Sequence, residues 1–195
     1  MSDMASICAR VENFYSQLDM QISAFRSATG ITCPQGCSIC CAHDVHCSIL
    51  EFIPLAVNLW RNKQADTVYN SISGDNTCIF YRPLPGKSGC GIYPWRGYIC
   101  RIFGFYSVIN KNHELEFCSC RIIKKNFAES ISLRHLPESL PVIPDLTIEF
   151  NNIETGLGSR LFPVNQAIRQ AIEKVYFSLE AEKNNNQQAS MPAKQ

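Results

Sequence analysis

The sequence carries little charge, and neither sign is in clear excess. Charged residues make up 18% of the chain, and 18 lysines and arginines are balanced by 17 aspartates and glutamates, for a formal net charge of +1. This balance argues against a nucleic acid or an acidic membrane surface held by bulk charge. We therefore predict no nucleic-acid partner and no membrane partner, and an unknown protein partner, if there is one, must be recognised locally.

The sequence also lacks long apolar runs and familiar catalytic motifs. No stretch approaches the roughly 18 apolar residues that cross a bilayer, and the residues from Met1 to Ala5 include an acid but no basic residue. Neither a membrane span nor an export signal is expected, so we predict a cytoplasmic protein. A phosphate-binding loop and a nucleophile elbow are both missing, which leaves hydrolase and nucleotide chemistry without support.

Cysteine, by contrast, is abundant, with 11 among 195 residues. This content lies below that of a small disulfide-rich scaffold and above that of an ordinary cytosolic protein. In a reducing compartment, closely spaced cysteines bind metal more often than they form disulfides. Metal binding is therefore the first function that the composition suggests.

Helical periodicity marks both ends of the chain. Apolar residues at steps of three and four predict an amphipathic helix from Met4 to Thr29, which Gly30 ends. The same spacing predicts a second amphipathic helix from Pro163 to Lys183. The polar residues 184–195 predict a disordered tail.

The middle of the chain predicts shorter elements. Ser48 and Glu51 have capping-box spacing and open a helix from Phe52 to Trp60, which restarts or kinks at Pro54. The other predicted elements are short strands or loops over 78–105, a hairpin of 106–109 with 115–117 and a turn at 110–112, and a covering loop over 133–144. The predicted fold class is α+β, a small loop-rich metal-binding domain of residues 1–183 flanked by amphipathic helices.

Seven cysteines form the candidate metal site. They are Cys33, Cys37, Cys40, Cys41, Cys78, Cys90 and Cys100. The first four have the spacing Cys-x3-Cys-x2-Cys-Cys, and short spacings of this kind let thiolates converge on one ion. Four thiolates satisfy one tetrahedral zinc or one iron–sulfur cluster, so seven exceed one site. The sequence does not choose between zinc and an iron–sulfur cluster as the cofactor, because thiolate suits both.

Several further residues extend this set. Adjacent residues such as Cys40 and Cys41 rarely point both side chains at one ion, so we expect them to serve different ions or a shared binuclear centre. An eighth thiolate is expected from Cys118 or Cys120. Ligation by His43, His46 or Cys47 is left open, and the isolated Cys8 is interpreted as a small core or surface residue.

Two arginines offer charge compensation near the candidate ligands. Arg96 and Arg101 flank Cys100 in the sequence. A four-thiolate zinc site carries a net charge of about −2, which is costly to bury without cations nearby. We therefore predict Arg96 and Arg101 as cofactor-binding residues.

Three cysteine-bearing blocks occur in a recognisable order. They are Cys33-Pro-Gln-Gly-Cys37-Ser-Ile-Cys40-Cys41, Cys78-Ile-Phe, and Cys90-Gly-Ile-Tyr93-Pro-Trp-Arg96-Gly-Tyr-Ile-Cys100-Arg101-Ile-Phe103. Together they resemble the YkgJ-type cysteine-cluster family, a zinc- or iron-chelating domain named for its CxxCxxCC motif. The resemblance covers residues 33–105 and implies a cytoplasmic metal-binding protein of largely undefined role. The family usually has proline after the position of Arg96, where this sequence has Gly97.

Two alternative functions remain beside plain metal binding. Cys33, Cys37 and Cys40 share the spacing of radical SAM enzymes, in which three thiolates bind a four-iron cluster, and the family is similar to the cysteine-rich part of flagellin lysine methylases. Against radical chemistry, the chain lacks the alternating strands and helices of a barrel. Delivery of metal to a partner is the other alternative, and it needs a partly open site that exchanges its ion. We leave open whether the protein is an enzyme.

Overall fold

The computed structural model describes residues 3–34, 36–42, 44–74, 77–82, 89–128 and 137–189. The helices of this part are α1 (Met4–Thr29), α2 (Ile53–Arg61), α3 (Ala65–Ser71), α4 (Tyr98–Ile102), α5 (Arg121–Asn126), α6 (Ile143–Asn151), α7 (Thr155–Gly158) and α8 (Val164–Ala189). The strands are β1 (His46–Ser48), β2 (Tyr81–Arg82), β3 (Gly89–Cys90), β4 (Tyr106–Ile109), β5 (Leu115–Cys118) and β6 (Leu161–Pro163). They pair antiparallel as β1 with β6, β2 with β3 and β4 with β5. The mixture of helix and sheet agrees with the predicted α+β class.

Helix α1 has the predicted bounds. The Asp3 side chain accepts a hydrogen bond from the Ala5 amide at the start of the helix, and Gly30 ends it with a left-handed φ of 70°. Glycine suits this position because a side chain strains the left-handed conformation. The buried residues of the helix include the whole predicted apolar stripe, Ile7, Val11, Phe14, Leu18, Ile22 and Phe25. Both the helix and its buried face are therefore confirmed.

The predicted capping interaction before α2 is also present. The Ser48 amide donates to Oε1 of Glu51 over 2.7 Å. A 3-10 turn at Leu50–Phe52 follows, and α2 itself begins at Ile53 with Pro54 in its first turn. The helix thus restarts at the proline, where the missing amide hydrogen costs no intrahelical bond.

The C-terminal helix packs on the middle of the chain. β6 ends at Pro163 and α8 begins at Val164, which confirms the predicted start. The Trp60 indole in α2 donates to the Ile172 carbonyl in α8 over 3.0 Å. The helix continues to Ala189, past its predicted end at Lys183 and into the predicted tail. The rest of that tail, 190–195, lies outside the described residues.

The region between α3 and α6 matches the prediction in part. The hairpin of β4 and β5 is confirmed, with Ser107 opposite Phe117. Within 78–105, the short helix α4 stands where only strands or loops were expected, and it carries Cys100. Of the predicted covering loop, 133–136 lies outside the described residues, and its end is already the first turn of α6. None of the described helices is both long enough and apolar enough to cross a membrane.

Candidate metal centre

The seven predicted ligands line one cavity. Its volume is about 670 Å³, and the cysteines on its wall are Cys33, Cys37, Cys40, Cys41, Cys78, Cys90 and Cys100. They come from the loop after α1, the turn before β2, strand β3 and helix α4. Segments that are distant in sequence thus bring the thiols of all three motif blocks to one place. We call these seven residues the cavity thiols.

Backbone hydrogen bonds hold the first two blocks together. In the first block the Cys37 amide donates to the Pro34 carbonyl, and the Cys41 amide donates to the Ser38 carbonyl. The Cys78 amide then donates to the Cys41 carbonyl over 3.1 Å, which joins the second block to the first. The positions of Cys41 and Cys78 are therefore fixed relative to each other by the main chain.

Helix α8 anchors the turn that carries Cys78. Asn165 is buried, its side-chain oxygen accepts from the Ile79 amide over 2.9 Å, and its side-chain nitrogen donates to the Thr77 carbonyl over 2.8 Å. One amide side chain thus satisfies the backbone on both sides of Cys78. Sequence reasoning missed this residue, because nothing in the sequence relates an asparagine in a helix to a turn more than 80 residues away.

We expect Asn165→Ala to loosen this turn. The substitution leaves the Ile79 amide and the Thr77 carbonyl without their partner, so the free energy of unfolding should fall by about 1–3 kcal/mol. Chemical denaturation measures this loss, and alkylation followed by mass spectrometry should show faster labelling of Cys78. Gln166→Ala, at the exposed neighbouring position, is the control. Equal unfolding free energies for the two variants would contradict the anchoring role.

Three cavity thiols interact directly. The thiol of Cys41 forms side-chain hydrogen bonds with both Cys40 and Cys90, and these bonds raise the pKa of Cys41 strongly. The hydrogen bond from Cys41 lowers the pKa of Cys40 to about 6 and the pKa of Cys90 to about 7, and in both cases the charge of Arg96 adds to the effect. The arrangement favours thiolates at Cys40 and Cys90, and thiolate is the form that binds metal.

Main-chain amides also point at the sulfur atoms. The Phe80 amide hydrogen-bonds to the Cys78 sulfur and the Ile92 amide to the Cys90 sulfur, and both bonds lower the pKa of the thiol that accepts them. Burial is the stronger influence on Cys78, and it raises the pKa of that thiol to about 12. In each pair the amide lies two residues after the cysteine. Amide bonds to sulfur stabilise thiolate ligands in metal sites, because they disperse the negative charge.

Cys118 and Cys120, the two candidates for an eighth ligand, have different surroundings, and neither lines the cavity. Burial raises the pKa of Cys33 to about 12, and the neighbouring thiols of Cys37 and Cys120 contribute to the rise. The Cys118 thiol instead faces the Glu116 carbonyl at 3.8 Å and interacts with Tyr106. Of the two candidates, Cys120 is therefore the one that interacts electrostatically with a cavity thiol.

The two predicted arginines have different surroundings, although both line the cavity. Arg96 stacks on the Tyr93 ring, with 3.6 Å between the guanidinium carbon and the ring centroid, and its charge acts on the thiols of Cys40 and Cys90. Arg101 is buried, forms an ion pair with Asp19, and donates to the Pro94 and Arg96 carbonyls. Arg101 therefore holds the backbone at Pro94 and Arg96, and Arg96 is the arginine whose charge lowers the pKa of Cys40 and Cys90.

No family model, curated protein or solved structure matches this chain. Within the described part of the chain, no three cysteine, histidine, aspartate or glutamate side chains stand in an arrangement that would hold an ion as it is. The thiols instead meet in hydrogen-bonded pairs, among them Cys33 with Cys37 and Cys40 with Cys41.

The structure shows where two residues lie whose role as ligands the sequence left open, His46 and Cys47. His46 points outward from β1 and lies 3.8 Å from Asp44, while Cys47 beside it is fully buried. His43 lies outside the described residues. Cys8 is buried within α1, where burial raises the pKa of its thiol to about 11, and it is not among the cavity residues.

A buried carboxyl group joins the segments that carry Cys47 and Cys100. Oε1 of Glu51 accepts from Ser48, and Oε2 accepts from the Ile99 amide over 3.0 Å. Burial raises the pKa of Glu51 to about 7, although the amides of Ile99 and Ser48 act in the opposite direction. The sequence predicted the contact with Ser48 but gave no sign of the contact with α4.

Proposed function

We propose that this protein binds metal through the cavity thiols. The observation that carries the proposal is the convergence of seven thiols from separate segments on one cavity of about 670 Å³. An isolated buried cysteine is explained as a small apolar residue, as Cys8 is, but seven around one space are not. In a tetrahedral site each zinc takes about four thiolates, so the cavity thiols with Cys120 suffice for about two ions.

The charges around the cavity support the proposal. Among the described residues, the charged side chains that line it are Asp19, Arg26, Arg96 and Arg101. Arg101 pairs with Asp19, so the net positive charge of the wall comes from Arg26 and Arg96. Cations at the wall offset the negative charge that thiolates keep after they bind a metal ion.

The chemistry of the ligands agrees with zinc and with an iron–sulfur cluster. The resemblance to the YkgJ-type cysteine-cluster family supports metal binding through the motif residues and stays a prediction, as does a cytoplasmic location. Anaerobic purification, elemental analysis and a visible spectrum separate the two metals. Broad absorption near roughly 400 nm indicates an iron–sulfur cluster, whereas stoichiometric zinc in a colourless protein indicates tetrahedral sites. A folded protein without either metal would refute the proposal.

Substitution of single cysteines should distinguish the cysteines that bind metal from those that do not. We expect Cys41→Ser and Cys120→Ser each to lower the bound metal by up to about one ion per chain, because a tetrahedral site rarely survives the loss of a thiolate. Cys8→Ser and Cys118→Ser are the controls, since Cys8 is buried within α1 and the Cys118 thiol faces the Glu116 carbonyl, and they should keep the wild-type metal content. Elemental analysis of the four purified variants gives the comparison. Equal metal loss from ligands and controls would contradict the assignment.

A further inference from the structure

The cavity that the seven thiols line is larger than metal ions need. With sulfur atoms about 2.3 Å from each zinc, the space inside one coordination shell is about 50 Å³. Two ions therefore account for only a small part of the cavity volume of about 670 Å³. The whole volume lies in the range of about 300–1,000 Å³ that is typical of small-molecule sites. The cavity thus has room for an organic molecule beside the metal.

Apolar side chains form a large part of the cavity wall. Ile22 of α1 and Phe105, which directly precedes β4, both line the cavity. Phe25 holds the Phe105 ring edge-on, with 6.5 Å between the ring centroids, and is itself 0% exposed. The other apolar side chains of the wall include Val45, Phe52, Ile92, Phe103 and Val164. A mainly apolar wall with a few polar groups is typical of sites for organic ligands.

Arg26 is the cation beside this apolar surface. It lines the cavity four residues after Ile22, on the same face of α1. Its guanidinium carbon lies 5.3 Å from the centroid of the Phe105 ring, and its side chain is partly buried. A guanidinium group can donate two parallel hydrogen bonds to one carboxylate. Arg26 and Phe105 therefore place a charged group and an aromatic face next to each other on the wall.

Arg26 differs from the other two arginines of the wall in its partners. Arg101 forms an ion pair with Asp19, and the charge of Arg96 acts on the thiols of two cavity cysteines. Among the residues that the structure describes, no carboxylate lies within 4 Å of the Arg26 guanidinium. Arg26 is thus the cation of the wall that is placed to pair with an anion from outside the chain.

We propose that the cavity also binds a small organic carboxylate, which pairs with Arg26 and packs its apolar part on Phe105 and Ile22. The inference goes beyond the proposed function, because it adds an organic ligand to the metal. A carboxylate suits the site better than a phosphate monoester, whose charge is about −1.5 to −2 at neutral pH. Thiolates that hold metal keep negative charge in the same cavity, so a second negative charge on the ligand is unfavourable.

Three aromatic probes test the charge of the ligand. Phenylacetate, its neutral amide phenylacetamide, and phenyl phosphate are titrated into the full-length ¹⁵N-labelled chain loaded with Zn²⁺, and amide NMR signals report the dissociation constants. We expect phenylacetate to shift the signals of Ile22, Arg26 and Phe105 and to bind about tenfold more tightly than phenylacetamide. Equal binding of these two probes, shifts confined to residues outside the cavity, or no binding would overturn the proposal. Tighter binding of phenyl phosphate would overturn the preference for a carboxylate.

Arg26→Gln tests the residue assigned to the anion. We expect this variant to bind phenylacetate about tenfold more weakly than wild type and to bind phenylacetamide as wild type does. Arg160→Gln is the control, because the Arg160 guanidinium also lies on an aromatic ring, 4.8 Å from the Phe162 centroid, and neither residue lines the cavity. Equal affinities for phenylacetate in the two variants would refute the role of Arg26. If Arg26→Gln does not fold, the comparison of probes on the wild-type chain decides.

The same titration on the metal-depleted chain keeps this inference separate from the proposed function. A chain that binds phenylacetate at Arg26 but takes up no metal would overturn the proposed function and leave the carboxylate site standing. A chain that takes up zinc but binds no phenylacetate would overturn the carboxylate site alone.

Discussion

Removal of metal with a chelator is expected to speed amide exchange about a thousandfold in the loops that carry the cavity thiols. An ion present at a thousand times its dissociation constant stabilises the structure that binds it by about 4 kcal/mol, and this protection is lost with the ion. The amides of Cys41 and Cys78 report the change, since the Cys41 amide donates to the Ser38 carbonyl within the first loop and the Cys78 amide donates to the Cys41 carbonyl, which joins the two loops. Hydrogen exchange followed by mass spectrometry measures it.

The effect should stay within these loops. The buried core is built mainly from α1, α2 and α8, whose apolar residues include Phe25, Leu55 and Ile168. Cys33 and Cys78 pack against this core as partly buried residues, but the three helices also pack on one another, so they should keep their slow exchange after chelation. In this respect the protein should differ from a zinc finger, which unfolds completely without its ion.

Two outcomes would contradict this expectation. Unchanged exchange at Cys41 and Cys78 after chelation would mean that the loops do not depend on metal. Loss of protection throughout α1 would mean that the whole domain depends on it. Chelator added to metal-depleted Cys41→Ser protein is the control, because exchange there should not change.

The elements that were predicted correctly are those that depend on residues close together in the sequence. The stripe of α1, its end at Gly30 and the β4–β5 hairpin each follow from spacing or from a turn within a few residues. Helix α4 was missed because Tyr98–Ile102 is too short to show a helical period. Helix α6 was missed because Phe150 is the one residue of Ile143–Asn151 that is buried, so the segment has no apolar stripe.

The candidate site shows the same limit. Cysteine spacing identified the residues that line the cavity, because ligands of one ion tend to occur close together in sequence. Contacts between residues that are far apart in the sequence produce no such spacing pattern, so they could not be predicted. Arg101 pairs with Asp19, which lies 82 residues away, and Cys47 in β1 interacts with Cys100 in α4.

Glu51→Ala is expected to lower the free energy of unfolding by about 2–6 kcal/mol. The carboxylate accepts from the amides of Ser48 and Ile99, and each buried donor left without a partner costs about 1–3 kcal/mol. Glu51→Gln keeps one acceptor oxygen and should lose less. Glu149→Ala, an exposed glutamate in α6, should change the free energy by less than about 0.5 kcal/mol. Urea denaturation of the four proteins compares them, and equal values for Glu51→Ala and Glu149→Ala would contradict the role of this carboxyl.

Gly97, which directly precedes α4, offers a second test of the contact between Glu51 and this helix. A Cβ atom at this position would lie 2.7 Å from Oε2 of Glu51, 3.2 Å from its Cβ and 3.3 Å from Cζ of Phe52. The φ of −64° would suit the proline usual in the resembled family, so the lack of space beside Glu51 explains glycine here. We expect Gly97→Ala to lower the free energy of unfolding by about 1–3 kcal/mol, whereas Gly74→Ala, where nothing lies within 4 Å, should not.

The two substitutions should couple in a double-mutant cycle. Once Glu51→Ala has removed the carboxylate, the Cβ atom added by Gly97→Ala no longer meets its nearest neighbouring atom. The loss of unfolding free energy caused by Gly97→Ala should then be smaller. The combined variant should therefore be more stable than the sum of the single effects predicts, by about 0.5 kcal/mol or more. Urea denaturation of the wild type, the two single variants and the double variant supplies the four free energies. Additivity within about 0.3 kcal/mol, the behaviour of independent sites, would show that the Glu51 carboxylate is not what restricts position 97 to glycine.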